Sequence, residues 1–337
     1  MTTIGNTYLT LLDYAKRTTP SGGIDEVIEV LAASNPILAD ANIMEGNLPT
    51  GHLFTQRSSL PSGSWRLLNY GVAPEKSTTK QFTDVCAILE SYSKVDVDIA
   101  SLGGNEAAFR ASEDNAFIAG LNSTMATALF YGNQSDNPEQ PHGLAPRYNL
   151  TTGDYANQII NAGGSGADNT SIWLITWGPK TCSLIFPKGS TAGLTSEDLG
   201  KQLVTDATYG YLYTAWVTKF QWKVGLSVLD YRYVIRICNI DVSALTSDAS
   251  SGADLIENMI DAFYARPTDA VSKEEAGMAK TFWYGNKTIA AYLHKQAMSP
   301  TNVQLTLREV GGRKIPEMLG APIHVCDNIT SAESAVS

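Results

Sequence analysis

The sequence predicts an α+β chain with one long helix and a strand-rich middle. Three observations carry that expectation. Residues 104–131 place Phe117, Leu121, Met125 and Leu129 at every fourth position, widened by Phe109 and Ile118, between Gly103-Gly104 and Gly132-Asn133. Residues 209–242 (YGYLYTAWVTKFQWKVGLSVLDYRYVIRICNIDV) are dominated by aromatic and β-branched side chains, which suit a pleated, half-buried surface. The 337 residues are 43% apolar but only 17% charged, below the roughly 25% of average soluble domains. A sizeable core is therefore affordable, and so is extensive contact with other molecules, copies of the chain included.

The elements follow in order. In residues 1–50, Tyr8, Leu9, Leu11 and Leu12 open an amphipathic stretch that stops by Thr18-Thr19-Pro20. A second, at 24–31 (IDEVIEVL), ends at Asn35-Pro36. Such short helices bury little alone and read as an arm that needs another surface. Residues 64–70 (SWRLLNY) and the run 80–100, which alternates most clearly in VDVDI, predict two strands of a long hairpin around the turn-prone GVAPEKSTTK. An isolated two-stranded hairpin is marginal in water, so this one is expected to lie across a neighbour. The helix at 104–131 would run about 40 Å. Glu106 precedes Arg110 by four residues, the favourable order for a surface ion pair, and Gly120 is its weak point. Beyond the loop YGNQSDNPEQPHGLAPRYN and the break AGGSGADNTS, residues 172–177 (IWLITW) read as a buried strand and 182–186 as its successor. Residues 187–201 read as a polar loop, 255–264 as a helix, 281–284 as a short strand, and 287–296 as a helix capped by Asn286. Residues 303–307 and 322–327 close the chain as strands.

Composition and motifs exclude several functions. A net charge of −10 disfavours nucleic-acid binding, which needs basic groups against phosphates. No basic start followed by an apolar run and no 18-residue apolar stretch occurs, so neither a secretion signal nor a membrane span is expected. Cys86, Cys182, Cys238 and Cys326 form no CxxC and are expected to be reduced and mostly buried. His52, His142, His294 and His324 form neither HxH nor HExxH; pairing His324 with Cys326 across a strand is weaker than ordinary packing as an explanation. Gly163-Gly164-Ser165-Gly166 lacks the following Lys-Ser/Thr and precedes a strand, unlike a phosphate loop. Asp96 and Asp98 would share a strand face, as paired catalytic carboxylates do, but they alternate with valines like any half-exposed strand. Gly311-Gly312-Arg313-Lys314 reads as a solvated turn. The aromatic cluster from Tyr209 to Tyr233 has no basic groove for stacking on bases and reads as core and subunit interface. No catalytic, cofactor-binding or metal residue is nominated.

Four stretches together resemble the major capsid proteins of tailed double-stranded DNA bacteriophages, the HK97-like fold, short-tailed branch. They are SIWLITWGPKTCSLIFPKGSTAGLTSEDLG at 171–200, WVTKFQWKVGLSVLDYRYVIRICNIDV at 216–242, FYGNQSDNPEQPHGLAPRYN at 130–149, and Leu319-Gly320-Ala321-Pro322-Ile323 followed by Asp327. The resemblance implies an N-terminal arm at 1–50 and an extended β-hairpin loop at 51–100. It implies a peripheral domain at 101–150 with spine helix 104–131, an axial domain at 151–279, and a return to the peripheral domain at 280–337. It further implies self-assembly as hexamers and pentamers into an icosahedral shell around the phage genome, without sequence-specific DNA binding. Partners implied are a separate scaffolding protein, a portal protein and a cement or decoration protein. The place implied is the virion, after assembly in the host cytoplasm. Some relatives form a Lys–Asn isopeptide bond; the residue types exist here in Lys76, Lys80 and Asn328, but most members of the fold do without it. Two other readings stay open: a nanocompartment shell of the same fold, and an α+β enzyme.

Overall fold

A computed structural model describes residues 35–102, 104–205, 210–247, 253–297, 306–310 and 313–337. The amphipathic stretches expected at 8–12 and 24–31 lie outside the described residues. Among those described, the strands are β1 (Ile43–Glu45), β2 (Gly51–Ser59), β3 (Thr78–Val85), β4 (Ala87–Asp96), β5 (Ile159–Asn161), β6 (Asn169–Trp177), β7 (Cys182–Phe186), β8 (Leu194–Thr205), β9 (Leu212–Val228), β10 (Val234–Asp241), β11 (Lys280–Gly285), β12 (Thr306–Val310), β13 (Arg313–Met318) and β14 (Ala321–Val325).

The centre of the fold is β6. It pairs antiparallel with β10 on one side and β11 on the other, and all of its residues are buried. Its alternate side chains enter two different cores. Trp173, Ile175 and Trp177 join Met125, Leu129 and Phe130 of the long helix. Ile172 and Leu174 join Leu255, Ile256 and Met259 of the helix Leu255–Ala265 and Ile289 and Leu293 of the helix Lys287–Ala297. A strand covered on both faces reads as an unbroken apolar run, which is how IWLITW reads. In β10, Val234 and Cys238 lie in the first core and Ile235, Ile237 and Ile240 in the second. The register slips between Ile237 and Ile240, where Asn239 takes a left-handed φ of 58°. Asparagine tolerates that conformation better than most residues.

A second group of strands meets the first at a single parallel bridge, Trp177 with Cys182. Here β9 is the axis. Its C-terminal end pairs with β7, and the rest lies between β4 and β8. The helix Glu106–Tyr131 packs across both groups. Asn105 caps it, its Oδ1 accepting from the Ala108 N–H at 3.2 Å. Gly132 ends it, where a Cβ would meet backbone oxygens of Ala128 and Pro141 at 2.5 Å. The helix turns its C-terminal half onto β6 and its N-terminal half onto β9, with Phe117 stacked on Phe220 at 6.5 Å. The expected Glu106–Arg110 pair does not form as such. Arg110 instead reaches Asp198 of β8 at 2.9 Å and lies 4.4 Å over the Trp216 ring, whose indole N–H donates to Glu106. Tertiary partners replace a local surface pair.

Three local expectations are corrected. Residues 64–70 are not a strand; the hairpin consists of β2 and β3, with 60–77 between them. The polar stretch after residue 193 is not loop but the twelve-residue edge strand β8. Its backbone partners supply what its side chains do not advertise, and its charges suit an edge. Asp96 and Asp98 do not share a strand face: β4 ends at Asp96, whose carboxylate accepts from the Asp98 N–H at 2.8 Å and starts the helical turn Val97–Ser101.

The last residues are strapped to the body by polar groups. Glu333, buried, accepts from Tyr131 Oη at 2.5 Å, from Arg236 Nη2 at 2.8 Å and from Ser171. Arg236, also buried, donates to the Tyr148 carbonyl at 2.8 Å and to Ser171 Oγ at 3.0 Å. Burial, then Glu333, pushes the Tyr131 phenol far above its ordinary value. Asn286 caps the helix that follows it, accepting from Ile289 N–H at 2.9 Å, and also donates to Ser331 at 2.8 Å.

Two substitutions test this account in the unassembled subunit. Glu333→Ala strands the Arg236 charge, and denaturant titration should read a loss of about 3–5 kcal/mol. Gly120 has open space around its Cα, so Gly120→Ala should gain about 0.5–1 kcal/mol in the same titration.

Candidate assembly surface

The residues weighed for chemistry do not converge. His324 Nδ1 stands 2.6 Å from Asp40 Oδ2, its ring stacked on Phe282 at 4.9 Å. Asp40 also accepts from Tyr284 Oη at 2.9 Å, which in turn accepts from Trp177 Nε1 at 2.9 Å. This chain ties the helical turn Ile37–Asp40 to the sheet. Cys182, Cys238 and Cys326 are buried, Cys86 partly so, and all four are free. Burial raises each thiol, Cys86 and Cys238 to about 11 and Cys326 to about 12. Among the described residues no three His, Cys, Asp or Glu side chains gather as metal ligands, and no helix is long and apolar enough to cross a membrane.

Gly164 packs where a Cβ would meet Asn169 Oδ1 at 2.5 Å and the Asn239 carbonyl at 2.6 Å. The glycine loop is thus fitted to the β10 bulge. The aromatic cluster is largely internal: Tyr231 meets Tyr155 edge-on at 4.8 Å, and Tyr233 donates to Asp269 at 2.7 Å. Asn328 Nδ2 is occupied by Ser123 and Thr127 of the long helix at 2.6–2.8 Å, and Lys80 pairs with Asp154 at 2.8 Å.

What stands out is a surface. The segment between β2 and β3 exposes Leu60, Trp65, Leu67, Leu68, Tyr70 and Val72, with Trp65 fully accessible at 105%. Contiguous apolar groups left in water mark an interaction site. Glu75 closes the neck of this segment by accepting from the Gly63 N–H at 2.9 Å and from Ser62 Oγ at 3.4 Å. The eleven or so residues above that closure form an apolar lobe with no core beneath it.

The hairpin carrying the lobe is joined to the body mainly by polar contacts. Asp84 of β3, buried, meets Arg147 at 2.7 Å and accepts from the Val228 N–H at 3.3 Å. Arg147 also donates to the carbonyls of His142 and Leu226 at 3.2 Å. Gln56 of β2 donates to the Leu229 carbonyl at 2.8 Å. Beside it a cleft of about 550 Å³ separates 55–60 from 229–232. Burial first, then the Arg147 charge, lowers the His142 pKa. At Gly51 a Cβ would lie 2.0 Å from the Asp84 carbonyl, so the base of the hairpin admits only glycine. Sequence reasoning expected a hairpin lying across a neighbour here but placed one strand at 64–70, which is the lobe; it did not find Asp84 and Arg147, which lie in unremarkable polar stretches and meet only through the fold.

Comparison with known proteins follows this geometry. A family model described as "Major capsid protein GP7" matches residues 19–337. A chain in the near-atomic structure of bacteriophage epsilon15 is 37% identical, with coverage of 100% of this chain and 99% of that one and a TM-score of 0.77. The bacteriophage JBD30 capsid is 9% identical, covering 89% of this chain and 93% of that one, with a TM-score of 0.49. The SrpI encapsulin of Synechococcus elongatus PCC 7942 is 11% identical, covering 69% of this chain and 97% of that one, with a TM-score of 0.42. No curated protein gives a match.

Glu75→Ala should open the lobe's neck without touching the cores. Limited proteolysis of unassembled subunits should then cut within 60–77 several times faster than in wild type, with an unchanged Tm. Equal cutting rates would count against Glu75 as the closure.

Proposed function

The chain belongs to the GP7 family of major capsid proteins, and from that membership we propose how its parts build the shell. It is a structural capsid protein of a tailed phage with the HK97-like fold, not an enzyme, and such proteins self-associate into shells. Our finer reading is that the chain forms hexamers and pentamers of an icosahedral capsid around double-stranded DNA. It does so with the help of a scaffolding protein, a portal and a cement protein, in the host cytoplasm.

In this reading residues 1–50 are the arm, 51–100 the extended loop, 101–150 and 280–337 the peripheral domain, and 151–279 the axial domain. The observation that carries it is the lobe. Trp65, Leu67, Leu68 and Tyr70 are exposed at 70–105% on a hairpin that projects from a body already packed. Large exposed aromatics of this kind are the usual anchors of protein interfaces. In this reading the partner surface is another copy, since a shell protein meets mainly itself. The acidic balance of −10 per copy suits a wall that confines DNA without binding it tightly.

The test is assembly. Trp65→Asp with Leu68→Asp, expressed with the other structural genes of the phage, should leave the subunit folded with an unchanged Tm. Closed particles should vanish from size-exclusion chromatography and electron microscopy, because an aromatic anchor contributes at least about 2 kcal/mol to a contact repeated around the shell. Normal particles from this variant would refute the role of the lobe. DNA inside wild-type particles supports the phage reading; a packaged enzyme in its place would favour the nanocompartment.

A further inference from the structure

We propose that the root of the β2–β3 hairpin is a proton-operated hinge: a proton taken up by His142 releases Asp84 from Arg147, and the hairpin swings away from the body. The hairpin is built to move as one piece. Among the described residues, β2 and β3 pair with each other and with no other strand. Cys86 alone separates β3 from β4, and its N–H donates to the Thr50 carbonyl at 2.9 Å, tying the two legs at one pivot. Beyond the pivot, the cleft of about 550 Å³ already parts residues 55–60 from 229–232. The hairpin's polar ties to the body are few. They are Asp84 with Arg147 and the Val228 N–H, Gln56 with the Leu229 carbonyl, and the exposed pair Lys80–Asp154. An exposed pair of that kind contributes little.

The body's side of the joint stays in place. Arg147 keeps the carbonyls of His142 and Leu226 when Asp84 leaves. Gly143, next to His142, donates to the Gly132 carbonyl at 2.8 Å, and a Cβ there would lie 2.7 Å from the Ala128 carbonyl. His142 is thus pinned against the end of the long helix and cannot withdraw from the joint.

Charge counting supplies the trigger. His142 is half-buried, and its Nδ1 has no hydrogen-bond partner among the described residues; the same holds for Nδ1 of His52, which faces Asp84 across the hairpin register. The joint therefore sets one carboxylate against one guanidinium and two imidazoles. Cys86, Cys182, Tyr148 and Tyr155 stand around the same ion pair, and burial raises all four, so they stay neutral where imidazoles titrate. Burial, then the Arg147 charge, holds His142 below its ordinary value of about 6.5, against the pull of Asp84. The closed joint thus binds the proton more weakly than the open one, where the ring meets water. The closed form is fully favoured above about pH 6.5 and loses ground as the pH falls below it. The lobe rides on this hairpin, so the proton sets the direction in which a copy presents it. That consequence rests on the shell reading above; the hinge itself is a property of the single subunit.

The experiment measures the distance across the cleft in the unassembled full chain. Spin labels go on Ser59→Cys and Arg232→Cys in a Cys86→Ser background, without denaturant, and pulsed electron paramagnetic resonance is recorded from pH 7.5 to 5.5. The ratio of long to short distances should rise several-fold per pH unit below about 6.5, one proton allowing at most tenfold. Fluorescence of the buried tryptophans should not change. His142→Gln should stay closed throughout, and His142→Arg should be open already at pH 7.5. A merely structural role for His142 would loosen the joint in both variants at every pH. No change with pH in the parent, a response that survives in His142→Gln, a closed His142→Arg, or a tryptophan signal that moves with the distance would each overturn the hinge. The measurement needs no shell, so a wild type that never forms shells overturns the shell reading alone.

Discussion

Everything else in this molecule follows from β6 having no free face. Nine residues, Asn169–Trp177, are buried throughout. Their side chains must be satisfied on one side by the long helix and on the other by the helices Leu255–Ala265 and Lys287–Ala297. Three tryptophans, Trp173, Trp177 and Trp283, are fully buried around it. A close-packed interior of this kind has little tolerance for added or lost volume. What reaches beyond this body is the hairpin of β2 and β3 with its exposed lobe.

The segments at its margins are held by a different kind of force. The body is held by apolar burial. The outlying segments are held largely by polar pairs: Asp84 with Arg147 for the hairpin, Asp40 with His324 and Tyr284 for the helical turn Ile37–Asp40, Glu333 with Arg236 for the C-terminal strap. A buried charge pair is often no better than apolar packing for stability. Its strength lies in geometry, since it is satisfied in one arrangement and costly in others. For a subunit that must present the same surfaces to every neighbour, fixed direction matters more than net stability. Exposed apolar groups gather at the far end of the hairpin, on the lobe.

How much of this could be read from sequence depends on which force acts. The long helix, IWLITW and the strand-rich middle were readable because periodicity reports burial directly. The lobe was misread as a strand because Trp65, Leu67 and Tyr70 have high β-propensity; propensity does not say whether a partner strand exists. β8 was misread as loop for the converse reason. Ser196, Glu197 and Asp198 look like turn residues, yet β9 supplies a partner along the whole strand. The polar roots were not readable at all. Glu333 lies in SAESAVS and Arg236 in a run of isoleucines, 97 residues apart, and nothing local links them. Arg236 did carry one signal, a charge inside an otherwise apolar strand, which needs a partner somewhere.

The same division accounts for where the polar pairs of the body lie. Three polar pairs act as structural partners: His324 with Asp40, Arg147 with Asp84, Arg236 with Glu333. Each pair ties segments far apart in sequence, separated by 284, 63 and 97 residues respectively. They are distributed along the seams where outlying segments join the body. The chemistry of this protein is the chemistry of holding surfaces at fixed angles, which is what a shell asks of each of its copies.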